Sequence, residues 1–259
     1  MGHIRLGTLS QSKKWREVVE LLGSNASLED IAEASAHAAE LDLARASNDP
    51  SFQFISRLLV ELPLMARSPG FHDSLAEMGF VSNATDSVPK LLSEISNAID
   101  QNAYDLGQSS DLGALAQSAL LETLSTKLRD GLPSLFAPEP HEIRRALGQF
   151  SGGQRFAELA RDFFARLTYK SLDYYLSREL ANHTGAGKRF LSDAERVSFE
   201  RALFQHTFET SKIVEEFAGG WYGKTIWKEQ NLSPASINKF TGFAFKKIRS
   251  ELGRRRATA

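Results

Sequence analysis

The chain has no cysteine. That absence excludes disulfides, thiolate nucleophiles and cysteine-ligated zinc or iron–sulfur clusters, and it suits a reducing compartment. Long apolar runs are missing too. Uninterrupted stretches reach only a few residues, as in Leu58-Leu59-Val60, whereas a helix that crosses a bilayer needs about 20. The first residues, Met1-Gly-His-Ile-Arg-Leu, lack the apolar stretch of a secretory signal, and Leu6 stands where a myristoylation signal wants Ser or Thr. Together these absences predict a cytoplasmic protein with no membrane partner. Residues that favour strands are scarce as well: 7 Val and 10 Ile stand against 33 Leu and 30 Ala. Straight-chain residues and Ala lose little entropy in a helix, while β-branched ones suit strands. The expected fold class is all-α, and no run reads as a strand.

Several metal and cofactor signatures are absent in the same way. None of the six histidines has Glu three residues before it, so the Glu-x-x-His pairs of helical di-metal sites do not occur. Glu33/His37 and Glu179/His183 have i,i+4 spacing, which two pairs without further ligands use for surface contacts. Gly185-Ala-Gly187-Lys188 has the look of a phosphate loop, but Asn182 takes the first Gly position, Arg189 replaces Ser/Thr and no strand precedes it. It reads as a turn. No metal and no cofactor are expected.

What the chain does have is punctuation and amphipathic periodicity. Trp15, Val18, Val19 and Leu22 share a helical face, as do Leu112, Leu115, Ala119 and Leu120. Ser27 with Asp30 forms a capping-box pattern opening an Ala-rich helix to about Asn48, ended by Asp49-Pro50. Pro63, Pro69 and Pro89 interrupt or start the helices that follow. Pro133, Pro138 and Pro140 cluster, and no proline occurs from His141 to Ser233. The pattern predicts short helices over residues 1–130, a Pro/Gly-rich connection over 131–152, and a region of long helices over 153–259, as two units or one continuous domain. One long helix is expected over Gln154–Asn182, with Phe156, Leu159, Ala160, Phe163 and Leu167 on its inner face and Arg155, Glu158, Asp162 and Arg166 outside. A second starts at Ser192 and stops at Gly219-Gly220. A last one follows Ser233-Pro234.

Charge is distributed unevenly. Lys224 to Ala259 carry nine Lys/Arg against two Asp/Glu, about +7, although the whole chain sums to −1. In the last helix Ile237, Phe240, Ala244, Ile248 and Leu252 form an inner stripe and leave Lys239, Lys246 and Arg249 outside, leading into Arg254-Arg255-Arg256. Such a stripe can follow a phosphate backbone. Upstream, Gly219-Gly-Trp221-Tyr222-Gly223-Lys224-Thr-Ile-Trp227-Lys228 interleaves aromatics with lysines, the composition that stacks bases in single-strand binders. Burial of Trp221, Tyr222 and Trp227 in the core is the favoured reading of this segment.

Three Arg-x4-His spacings occur: Arg67/His72, Arg178/His183 and Arg201/His206. In an all-helical chain this spacing resembles the motif of the HEPN ribonuclease superfamily, and the resemblance covers the motif alone. It implies a metal-independent endoribonuclease in which Arg178 holds a phosphate and His183 does acid/base work on a ribose 2′-hydroxyl. The residues themselves carry a plainer reading. His206 lies in line with Phe199, Leu203, Ile213 and Phe217 and is expected to be buried, and Pro69-Gly70 separates Arg67 from His72. His183 falls in the last turn before Gly185, where a cation complements free helix carbonyls by about 0.3–1 kcal/mol.

The leading expectation is therefore a non-enzymatic helical interaction or adaptor subunit of a larger cytoplasmic assembly. Its partner is another protein or a second copy, and its basic C-terminal helix contacts nucleic acid or an acidic protein. The HEPN-like ribonuclease is the alternative. A helical reader of duplex DNA ranks third, because 232–252 lacks the second helix at short spacing that a helix-turn-helix needs.

Overall fold

Side-chain caps set where most of the helices begin. In the computed structural model, which describes residues 2–4, 13–39, 49–80, 85–132, 137–229 and 232–256, eleven helices are present among the described residues. They are α1 (Lys13–Gly23), α2 (Leu28–Ala38), α3 (Pro50–Arg67), α4 (Phe71–Glu77), α5 (Val88–Asp105), α6 (Asp111–Gly131), α7 (Pro140–Gln149), α8 (Gly153–Asn182), α9 (Asp193–Thr210), α10 (Lys212–Glu229) and α11 (Pro234–Arg256). Ser27, Ser87, Ser110 and Ser192 each accept a hydrogen bond from the backbone N–H three residues on, opening α2, α5, α6 and α9. Asp49 does the same for α3, with Pro50 at its first turn. Each such cap contributes about 1 kcal/mol. The fold is all-α, as composition predicts.

Strand is the first departure from the sequence reading. Residues Gly2–Ile4 (β1) and Gln108–Ser110 (β2) pair in parallel, Gly2 opposite Gln108 and Ile4 opposite Ser110. Gly107, at φ 62°, turns the chain after α5, and Ser110 must be extended to cap α6. The residues between are thus already in strand conformation and need only a partner. Pro63 is a second departure: it lies inside α3 and does not interrupt it.

α8, 30 residues long, is the central element. α6, α9, α10 and α2 all pack on it, so its outer face is not simply solvated. Asp162 is only 5% exposed, and its carboxylate accepts from Arg166 Nε at 2.7 Å.

The third departure concerns the helix expected from Ser192 to Gly219-Gly220. It is two helices. Thr207 Oγ1 donates to the Phe204 carbonyl and Thr210 Oγ1 to that of His206. Arg161 reaches across from α8 to the Phe208 carbonyl and Glu215, its guanidinium 4.4 Å from the Phe208 ring. Hydroxyls that bond back to their own turn bend helices, and Arg161 satisfies a carbonyl near the end of α9. α10 then runs straight through Gly219-Gly220. The glycines do not stop it because Gly219 serves packing: a Cβ there would lie 2.8 Å from the Gly153 carbonyl oxygen, so only glycine lets α10 approach the start of α8. Gly219→Ala should therefore destabilise by about 1–3 kcal/mol through overpacking, despite the better helix propensity of Ala. Gly220→Ala, where a Cβ meets nothing within 4 Å, should stabilise by up to about 1 kcal/mol. Urea unfolding of the two variants separates close approach from helix termination, which predicts loss at both.

One buried cluster runs from Trp15 to Leu252. α3 packs on α6, α7 and α11, and α2 packs on α8, α9 and α11. The Tyr222 hydroxyl donates to the Val60 carbonyl at 3.1 Å, and Arg189 Nη2 donates to the Ala26 carbonyl at 2.7 Å. The segment 131–152 contains α7, whose Arg144 donates to the Ala66 and Ser68 carbonyls at the end of α3.

Candidate functional site

The basic C-terminal segment folds as the α10–α11 hairpin. Ser233 Oγ accepts from Ser236 N–H to open α11, and Pro234 takes the first helical position, where its missing N–H is harmless. Aromatic pairs then zip the helices together antiparallel. Trp221 stacks on Phe240 with centroids 4.1 Å apart and planes 15° apart, and Phe217 meets Phe243 edge-on at 4.8 Å. The inner side of α10 is anchored by Tyr222, fully buried and stacked on Phe156 at 3.8 Å. Burial pushes the Tyr222 phenol far above its ordinary range, although nearby Arg67 opposes this.

The outer side of this hairpin is cationic. Lys224, Lys228, Lys239 and Lys246 are exposed, and none makes an ion pair or hydrogen bond with a described residue. Lys247 sits 5.3 Å over the Phe243 ring. Arg249 is exposed three positions after Lys246. Arg254 is engaged: its guanidinium grips Glu251 at 2.7 and 2.9 Å. The backbone of Arg255 and Arg256 continues α11, and their side chains lie outside the described ones.

Trp227 overturns the expectation of core burial. Tyr222 is buried and Trp221 is half-buried, but Trp227 is 85% exposed, the most exposed of the large apolar side chains described. Because α10 continues past the glycines, helical periodicity of about 100° per residue carries Trp227, five positions after Tyr222, to the opposite side. The signal was in the spacing, and the assumed helix stop hid it.

Of the three Arg-x4-His spacings, Arg178/His183 has its Arg178 side chain outside the described ones. His183 is the C-cap of α8, half-buried, with no hydrogen bond from its ring to a described residue. Its Cε1 is 3.8 Å from where a Cβ would stand at Gly23. His206 is buried as predicted, and His72 is exposed on α4. Gly185 and Gly187 adopt positive φ in a turn, and Lys188 Nζ donates to the Asn182 carbonyl at 2.8 Å, closing the end of α8.

A second polar cluster fills the seam between α6, α8 and α9. Burial raises the Glu122 carboxyl, but the hydrogen bond and charge of Lys170, joined by Ser118 and Arg166, outweigh it and hold Glu122 below its ordinary range. Asp173 is raised, first by burial and then by Glu200. Tyr169 is pushed up to about 12 by burial and by the carboxylates of Asp173, Glu200 and Glu122. Arg196 pairs with Glu200 and Asp193. Most charges here are internally neutralised, so the seam reads as an interhelical strap.

Among the described residues, no group of three or more His, Asp or Glu could hold a metal ion, and no helix is long and apolar enough to cross a membrane. No family model, no curated protein and no solved structure matches the chain.

Proposed function

We propose that this chain is a non-enzymatic helical adaptor of a cytoplasmic assembly that holds a single-stranded nucleic acid on its α10–α11 hairpin. The observation that carries the reading is Trp227, 85% exposed within a surface of lysines that have no partner among the described residues. An exposed indole on a rigid helix costs apolar hydration in the free protein. Stacking on a base recovers it while the neighbouring ammonium groups neutralise phosphates. The exposed Phe243 offers a second ring on the adjacent helix. Base stacking tolerates any sequence, so preference for a strand state over a base order is the expected signature.

The test is fluorescence anisotropy with labelled single-stranded and duplex oligonucleotides. Trp227→Ala should leave the melting temperature unchanged and weaken single-strand binding by about 1–3 kcal/mol, with a smaller effect on duplex. Absence of salt-dependent binding to any strand would refute the nucleic-acid reading and leave the lysine face to an acidic protein surface.

A further inference from the structure

The molecule carries a second cationic feature. Between the end of α3 and α7 lies an open cleft of about 630 Å³, lined by the guanidinium side chains of Arg67, Arg144 and Arg145 and by His141. No carboxylate of the described residues lines it. The nearest acid of α7 in sequence, Glu142, is occupied at the helix start, where it accepts from the Glu139 backbone N–H at 3.0 Å. None of the lining residues comes from α10 or α11.

Two of the guanidinium groups are fixed in place. Arg144 donates through Nε to the Ala66 carbonyl at 2.9 Å and through Nη2 to the Ser68 carbonyl at 2.6 Å, and it lies 5.3 Å from the Phe71 ring. Part of its role is to close the end of α3. Arg67 Nη1 donates to Ser151 Oγ at 3.3 Å, and Ser151 is itself held by the Gly148 carbonyl. Gly148 makes room for this: a Cβ there would stand 3.3 Å from the Arg67 side chain. Arg145 and His141, by contrast, make no ion pair or hydrogen bond with any described residue. The cleft thus combines two positioned guanidiniums with the Arg145 guanidinium and the His141 ring, neither hydrogen-bonded to a described residue, and no carboxylate of the described residues lines it.

We infer that this cleft binds a phosphate monoester. Planar guanidinium forks match tetrahedral oxyanions bidentately. A monoester carries close to two charges and three terminal oxygens, enough to engage several of these groups together. A carboxylate or a backbone diester brings one charge and two free oxygens and leaves most of the cleft unsatisfied.

Isothermal titration of the full chain with inorganic phosphate should show saturable one-to-one binding. Arg145→Gln and Arg67→Gln should each weaken it by about tenfold or more, the loss expected for one charge-assisted hydrogen bond. Arg145 has no hydrogen-bond or ion-pair partner among the described residues, so its variant should melt as the parent does, while Trp227→Ala should bind phosphate normally. Two oligonucleotides that differ only in a 5′-phosphate or 5′-hydroxyl then identify the source. Tighter binding of the phosphorylated strand, abolished by Arg145→Gln, assigns the site to strand ends. Equal binding of both strands, with phosphate still saturating the cleft, assigns it to a small phosphorylated molecule. Phosphate that fails to saturate, or binds both Arg variants as it binds the parent, overturns the proposal.

Discussion

Tyr222→Ala should destabilise the fold by about 3–5 kcal/mol, the range for deleting a large buried aromatic. The ring is fully buried and lies flat on Phe156, with centroids 3.8 Å apart and planes 7° apart. Trp221 and Phe240 pack against the same pair. Its hydroxyl crosses to the Val60 carbonyl, so one side chain joins α10, α8 and α3. Truncation leaves a cavity that three helices would have to close together, and α10 is already held at its closest approach by Gly219 against Gly153. The site therefore has little freedom to collapse, which places the loss toward the upper end. Tyr222→Phe keeps the stack and loses one hydrogen bond, about 1 kcal/mol. Urea unfolding of both variants checks the ordering. A loss under about 1 kcal/mol for the Ala variant would show that the hairpin does not lean on α3 through this residue.

The element boundaries that sequence reads well are those written into local chemistry. Ser27 with Asp30, Ser192 with Glu195, and Ser233-Pro234 each mark a helix start that the structure reproduces, because a cap is a contact between residues three apart. The errors arise where the meaning of a residue depends on something distant. Gly219 reads locally as a helix terminator, and only the approach of Gly153, far away in sequence, turns it into a packing contact. Arg166, which holds Asp162 on its own helix, reads as part of a solvated face because its pairing with α6, through Glu122 and Thr126, is long-range. The β1–β2 pair is of the same kind: neither segment has strand character alone. For the candidate site, the charge asymmetry and the aromatic–lysine interleaving were legible. The exposure of Trp227 was not, since it follows from the continuation of α10. The cleft of Arg67, His141, Arg144 and Arg145 gave no sequence signal, because it is assembled from α3 and α7 across more than 70 residues.

Replacing Lys224, Lys239 and Lys246 together by Gln should reduce single-strand affinity by about a hundredfold at about 0.1 M salt. Each neutralised phosphate contact contributes about 0.7 to the slope of log affinity against log salt, so three lost contacts lower that slope by about 2. The effect should be the same for strands of different sequence, because phosphate contacts carry no base information. Folding should change by less than about 0.5 kcal/mol, since the three side chains are exposed and have no partner among the described residues. Arg254→Gln provides the internal control. Its guanidinium already grips Glu251, so it releases less counterion on binding, and its removal should lower the slope by less than one lysine does. Anisotropy titrations across a series of salt concentrations measure both. If Arg254→Gln proves as damaging as the triple lysine variant, the strand follows the end of α11 and not the outer face of the hairpin. If neither changes the slope, the charge on this face serves another partner.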